Sequence, residues 1–196
     1  LIQMRLKEIA EQNNVELEAA RIMQASAFER TVSMRNLNIA LLPEAASASK
    51  ENVELNAAER SKKEALRIQS ERAKFKAATD ELKKMYGKSG SVSAEKMANF
   101  NKLNSLEFEV IPLEDGLLEA MQQRKGPDVW FPYIKKGRNL LRDLLENTGA
   151  LNELIKVQNQ QAVIDANAAY ERARTWLVAL SSTAIVLAIL LAWKIT

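Results

Sequence analysis

The run from Trp176 to Trp193, WLVALSSTAIVLAILLAW, has eighteen residues and no charge, although 27% of the chain's residues are charged. A helix rises about 1.5 Å per residue and a bilayer core is roughly 30 Å thick, so this run with its flanks can cross a membrane. A tryptophan at each end, with Arg174 before and Lys194 after, is typical of interfacial residues. A buried core helix is the alternative, but core helices seldom run this long without a polar face. We predict a transmembrane helix over residues 175–196.

Composition excludes several functions. The 196 residues include neither Cys nor His, which removes disulfides, thiolate chemistry, the usual zinc ligands and histidine acid–base catalysis. The sequence also has no glycine-rich phosphate loop and no convincing acidic pair. We therefore expect a protein that is not an enzyme and that uses no metal and no cofactor. The net charge of +3 is spread without a basic block, which argues against nucleic acid as a partner.

Before the span, turn-forming residues at 42–44, 87–91 and 125–128 separate four segments rich in helix formers. Each segment repeats apolar residues at a spacing near 3.5, which is typical of helices that pack at shallow angles. We predict an all-α fold: an antiparallel up-down-up-down four-helix bundle over residues 1–174, with helices over about 1–42, 47–86, 93–124 and 129–174. The fourth helix is expected to continue into the transmembrane helix. Ser91 or Ser93 is expected to cap the third helix, and Pro112 to bend it.

Two arginines interrupt apolar lines on the first helix. Arg30 lies on the line that includes Met23, Met34 and Leu37, and Arg35 lies on a second line with Phe28 and Ile39, about 140° away. A helix with two apolar faces needs two partners, so we expect the first face to meet its own bundle and the second to meet another copy of the chain.

An arginine on an apolar face requires an anionic partner. From the residues alone two uses stay open. In the first, the guanidiniums bind a carboxylate ligand bidentately. In the second, they extend to the surface or pair with a glutamate such as Glu29, Glu54 or Glu59.

A second group of aromatic and basic residues opens the fourth helix. In an antiparallel bundle this group lies at the same end as Arg30 and Arg35, so the two groups can meet. The aromatics either form the wall of a pocket or fill the end of the bundle. The group consists of Trp130, Phe131, Tyr133, Lys135, Lys136, Arg138 and Arg142.

The chain resembles the periplasmic sensor domain of bacterial methyl-accepting chemotaxis proteins, of the four-helix-bundle type. The tail ALSSTAIVLAILLAWKIT is similar to the family's second transmembrane helix, and ERTVSMRNL, residues 29–37, is similar to its helix 1 signature. Arg30 and Arg35 match the spacing of two arginines that hold the ligand's carboxylates in the family's aspartate receptors. The segment YIKKGRN, residues 133–139, falls where those receptors contact their ligand. Gly137 stands there for a frequent proline and Arg138 for a threonine, which favours a dicarboxylate or tricarboxylate over aspartate.

The resemblance implies a chemoreceptor in the bacterial inner membrane with its sensor domain in the periplasm. It implies a homodimer formed through the first helix, and a small carboxylate ligand, an organic acid or an amino acid. The fourth helix is expected to carry the signal across the membrane to cytoplasmic signalling domains and a kinase complex beyond Thr196. The residues expected to bind the ligand are Arg30, Arg35, Asn36, Tyr133, Arg138 and Arg142.

Two other classes fit the same pattern. The sensor region of a membrane histidine kinase can share this bundle, and only the sequence after residue 196 separates it from a chemoreceptor. A tail-anchored helical interaction protein also combines long heptads with one C-terminal span. An apolar segment upstream of Leu1 favours the receptor, whereas a free polar N-terminus favours the tail-anchored protein.

Overall fold

A computed structural model describes the backbone of residues 2–40, 50–88, 92–123 and 127–195. It describes the side chains of residues 11–39, 59–87, 92–123 and 128–194. The chain divides into two compact units, one of Asn14–Ile155 and one of Leu1–Asn13 with Lys156–Thr196.

The described residues form four α-helices and no strand. They are α1 (Ile2–Ala40), α2 (Lys50–Lys88), α3 (Ala94–Gln122) and α4 (Pro127–Ile195), which confirms the predicted all-α four-helix fold. The predicted end of the first helix at 42 and start of the second at 47 lie outside the described residues, as does Ser91.

The ends of α3 and α4 follow from their residues. Ser93 caps α3, because its hydroxyl accepts a hydrogen bond from the backbone N–H of Lys96 at 3.2 Å. Pro112 lies inside α3 without ending it. Pro127 begins α4, where its fixed φ suits the first helical position and its missing N–H costs nothing.

Within Asn14–Ile155, contacts between successive helices show that these helices run antiparallel. Between α1 and α2, Asn36 donates to Glu64 at 3.0 Å and Tyr86 donates to Glu16 at 2.8 Å, so the numbering rises on one helix as it falls on the other. The same opposite order appears for the other neighbours: Tyr86–Phe100 and Arg72–Asp115 for α2 and α3, Gly116–Tyr133 and Leu113–Gly137 for α3 and α4, and Gln24–Asn152 and Met34–Gly137 for α4 and α1.

One line of buried residues runs along α1 at heptad spacing. Glu16, Met23, Arg30 and Leu37 occupy the same heptad position, and all are buried. The predicted first line through Met23, Arg30, Met34 and Leu37 is therefore confirmed. The second predicted line is on the surface: Phe28 is 53% and Ile39 51% exposed.

The unit that contains the apolar run has its own hydrogen bonds. The side-chain amide of Asn159 donates to the backbone carbonyl of Asn13 at 3.3 Å. Within the run, the hydroxyls of Ser182 and Thr183 donate to the carbonyls of Val178 and Ala179 at 2.8 Å, which satisfies both polar groups inside the helix. Among the described residues one helix, α4, is long and apolar enough to span a membrane.

Candidate functional site

Arg30 lies in the centre of the bundle and is bonded to two glutamates of α3. Its Nε and Nη2 donate to the two carboxylate oxygens of Glu114 at 2.9 and 3.0 Å, and Nη1 donates to Glu107 at 2.7 Å. The Arg30 side chain has no exposed surface, and its guanidinium carbon lies 5.7 Å from the centre of the Phe75 ring. The fork of the guanidinium is thus matched by carboxylates of the chain itself.

Glu114 joins a second arginine to this centre. Arg72 of α2 donates to Glu114 from Nε at 3.2 Å and from Nη2 at 2.9 Å, while its Nη1 donates to Asp115 at 2.8 Å. Burial alone would lower the pKa of Arg30, but the charges of Glu114 and Glu107 raise the pKa above its usual value, so the guanidinium stays charged. Burial raises the pKa of Glu107 against the opposing charge of Arg30.

A second buried cluster lies farther along the same two helices. Lys96 of α3 donates to both carboxylate oxygens of Glu16 at 2.9 Å, and the hydroxyl of Tyr86 donates to Glu16 at 2.8 Å. Burial, and then the neighbouring charge of Glu16, raise the pKa of Tyr86 far above its usual value. The Tyr86 hydroxyl therefore stays protonated as a donor.

Arg35 and Arg138 lie at the surface beside one contact between α1 and α4. Their neighbours in sequence, Met34 and Gly137, touch closely: a Cβ on Gly137 would lie 3.0 Å from Met34 Cε. Both arginines are exposed, and neither takes part in a hydrogen bond or ion pair within the described part of the chain. Two unpaired guanidiniums from two helices therefore lie at the same level of the bundle.

The remaining predicted site residues lie elsewhere. Asn36 donates to Glu64 of α2, and the ring of Tyr133 lies over Gly116 of α3, where a Cβ would be 2.6 Å from the ring. Arg142 is exposed, and the nearest carboxylate oxygens, of Asp143 and Glu146, lie at 3.6 and 3.8 Å. Among the described residues, Arg35 and Arg138 are the predicted site residues whose neighbours in sequence, Met34 and Gly137, are in contact.

The aromatic group at the start of α4 is divided between core and surface. Trp130 is buried, whereas Phe131 is half exposed, with their ring centres 6.4 Å apart. Lys135 and Lys136 are exposed and have no described ion-pair partner.

The partners of Arg30 were missed by the sequence reasoning. Of the three glutamates considered, Glu29 pairs with Arg67, Glu59 is exposed, and the side chain of Glu54 lies outside the described residues. One signal was present: Glu107 and Glu114 lie seven residues apart, on an α3 line that begins with Phe100 and ends with Met121. A pair of glutamates at heptad spacing inside an apolar line indicates a buried cation opposite.

No family model, no curated protein and no solved structure matches this chain. Chemically, the arrangement holds an internal ion network and, separately, surface guanidiniums suited to a carboxylate. Within the described residues, no group of three or more acidic side chains could hold a metal ion.

Proposed function

We propose that the chain is the sensor region of a bacterial chemotaxis receptor that binds a small di- or tricarboxylate. One observation carries the proposal: Arg35 of α1 and Arg138 of α4 are exposed, unpaired and placed on either side of the same helix–helix contact. A guanidinium binds a carboxylate through two parallel hydrogen bonds, so two guanidiniums favour a ligand with at least two carboxylates.

The fold supports a sensor because α4 contains both Arg138 and the apolar run. A ligand shifts a conformational equilibrium only when it binds one state better than another. A ligand held by Arg35 and Arg138 contacts two helices at once, so its affinity depends on how α4 sits against α1. We propose that this dependence transmits the signal along α4, from a periplasmic sensor domain across the inner membrane.

The exposed apolar line on α1 supports a homodimer. Phe28 and Ile39 are each about half exposed, with half-buried Val32 between them. We propose that a second copy covers this line in the membrane-bound receptor. Phe28→Glu should then shift the full chain in nanodiscs from dimer to monomer in sedimentation. Leu66→Glu, on α2 with similar exposure, is the matched control and should leave the dimer intact. Equal behaviour of the two variants would exclude this interface.

Calorimetric titration of the full chain with citrate, malate and aspartate tests the ligand. We expect binding of at least one acid, and a loss of about 10-fold or more in affinity for Arg35→Ala and for Arg138→Ala, since charged hydrogen bonds contribute about 1.5–3 kcal/mol. Arg60→Ala removes an exposed arginine from α2 and should bind as the original chain does.

Two results would contradict the proposal. In one, none of the three acids binds to the folded chain. In the other, Arg35→Ala and Arg138→Ala retain full affinity for every acid that does bind.

A further inference from the structure

The two buried ion clusters connect helices that are not neighbours. Since α1 and α3 each lie between α2 and α4 in the antiparallel order, they face each other across the core. The first cluster, here the Arg30 layer, consists of Arg30 with Glu107 and Glu114, and Arg72 of α2 also donates to Glu114 from its edge. The second, the Glu16 layer, consists of Glu16 with Lys96 and Tyr86. Both place an α1 charge against an α3 charge at 2.7–3.0 Å.

The two layers have opposite polarity. In the Glu16 layer α1 supplies the negative charge, and in the Arg30 layer α1 supplies the positive charge. Glu16 and Arg30 are separated by fourteen residues, which is two heptads and about 21 Å along the helix. On α3, Lys96 precedes Glu107 by eleven residues and Glu114 by eighteen, so the spacing on the two helices matches.

The apolar part of this core does not specify a register by itself. Met23 and Leu37 repeat on α1 at the heptad position of the charged residues, and Leu103 and Leu117 repeat on α3. A slip of one heptad would again place large apolar side chains opposite one another. The same slip would separate Glu16 from Lys96 and would leave Arg30 opposite only one of its two glutamates. Glu16 and the other glutamate would then be buried without a cation, which is strongly unfavourable.

We infer that the two layers fix the direction and register of α3 against α1, and that Arg30 belongs to this register-setting device and not to the ligand site. A reversed α3 would place Arg30 near Lys96 and Glu16 near Glu107 and Glu114, so like charges would meet in the core. Buried polar groups that specify one arrangement among several apolar alternatives are known from coiled coils. The inference requires no ligand and goes beyond the proposed function.

Spin labels on α1 and α3 can measure the register directly. The chain has no cysteine, so Glu18→Cys and Lys102→Cys, at two exposed positions, give one labelled pair for double electron–electron resonance. The full chain is reconstituted in nanodiscs and diluted with unlabelled chain to suppress distances between copies. A slip of one heptad displaces the labels by about 10 Å along the axis, which this measurement resolves.

An apolar variant of both layers carries Arg30→Met, Glu107→Gln, Glu114→Met, Glu16→Gln and Lys96→Met, and it leaves Arg72 bonded to Asp115. Apolar replacement of a buried ion network often leaves stability unchanged or higher. We therefore expect a folded variant whose single label distance splits into two or more populations. A single distance identical to that of the original chain would overturn the inference.

The Glu16 layer gives a second test that does not depend on the first variant folding. Glu16→Lys and Lys96→Glu each place like charges together and should lower the urea midpoint. The double swap restores an ion pair, so it should recover most of the midpoint and the original label distance. If the double swap is no more stable than either single variant, the ion pairs do not set the register. Because neither test uses a ligand, their failure leaves the carboxylate proposal to its own titration.

Discussion

Two carboxylates that are adjacent in sequence, Glu114 and Asp115, should differ sharply in their contribution to stability. Glu114 has no exposed surface and accepts four hydrogen bonds of 2.9–3.2 Å from Arg30 and Arg72. Glu114→Gln keeps the volume but removes the charge and turns an amide donor toward two guanidiniums. Breaking a buried ion pair in this way costs about 3–5 kcal/mol.

Asp115→Asn is the matched control. Asp115 is 56% exposed and accepts a single hydrogen bond, from Arg72 at 2.8 Å, so its loss should cost at most about 1 kcal/mol. With a urea slope of about 2 kcal/mol per molar, Glu114→Gln should lower the midpoint by about 2 M and Asp115→Asn by less than about 0.5 M. Helical circular dichroism of the full chain in nanodiscs measures both midpoints.

Equal shifts for the two variants would refute the reasoning, as would a loss below about 1 kcal/mol for Glu114→Gln. The cause can be separated further by combining Glu114→Gln with Arg30→Met. The loss of stability in the double variant should be smaller than the sum of the two single losses, because each single variant breaks the same Arg30–Glu114 pair. If the second substitution adds its own full cost, Arg30 and Glu114 are not coupled.

Further predictions concern close packing and titration. Gly116→Ala should destabilise the bundle by about 1–2 kcal/mol, because its Cβ would lie 2.6 Å from the Tyr133 ring. Gly137→Ala should be nearly neutral, because the neighbouring atom at 3.0 Å is the flexible end of the Met34 side chain. Equal urea midpoints for the two variants would contradict this prediction. A tyrosine whose folded pKa is raised contributes stability that is complete below its unfolded pKa of about 10 and is lost as pH rises above it. The original chain should therefore lose stability faster than Tyr86→Phe between pH 9 and about 11, and parallel pH profiles would show that Tyr86 does not titrate in the transition. At neutral pH, Tyr86→Phe should cost about 1 kcal/mol, the contribution of its hydrogen bond to Glu16.

The helices and their inward faces could be predicted because they depend on local spacing. The line Glu16, Met23, Arg30 and Leu37 repeats every seven residues, and that repeat alone fixes which side of α1 is buried. The cap at Ser93 follows from one hydroxyl before a helical segment. These features need no knowledge of where any other helix lies.

The partners of Arg30 could not be predicted in the same way, because a diagonal contact depends on the relative register of two distant helices. Glu107 and Glu114 are 77 and 84 residues from Arg30, and no local rule joins these positions. The partners expected from the sequence, Glu29, Glu54 and Glu59, lie on α1 itself and on the neighbouring α2. Glu107 and Glu114, at heptad spacing on α3, were the available signal. They predict a buried cationic side chain opposite, but they do not identify which residue supplies it.

The five-residue spacing of Arg30 and Arg35 has a geometric consequence for recognition. Side chains five residues apart project from a helix in directions that differ by about 140°, so Arg30 and Arg35 have different surroundings within one chain. Arg30 is fully buried among glutamates, and Arg35 is exposed. A ligand at the surface can therefore reach Arg35 without reaching Arg30, and its second carboxylate needs another cation at the same level. In the proposed ligand site, Arg138, which follows the glycine packed against Met34, supplies that cation from α4. The affinity for such a ligand depends on the position of α4 relative to α1, so a ligand that binds both arginines favours one arrangement of the two helices.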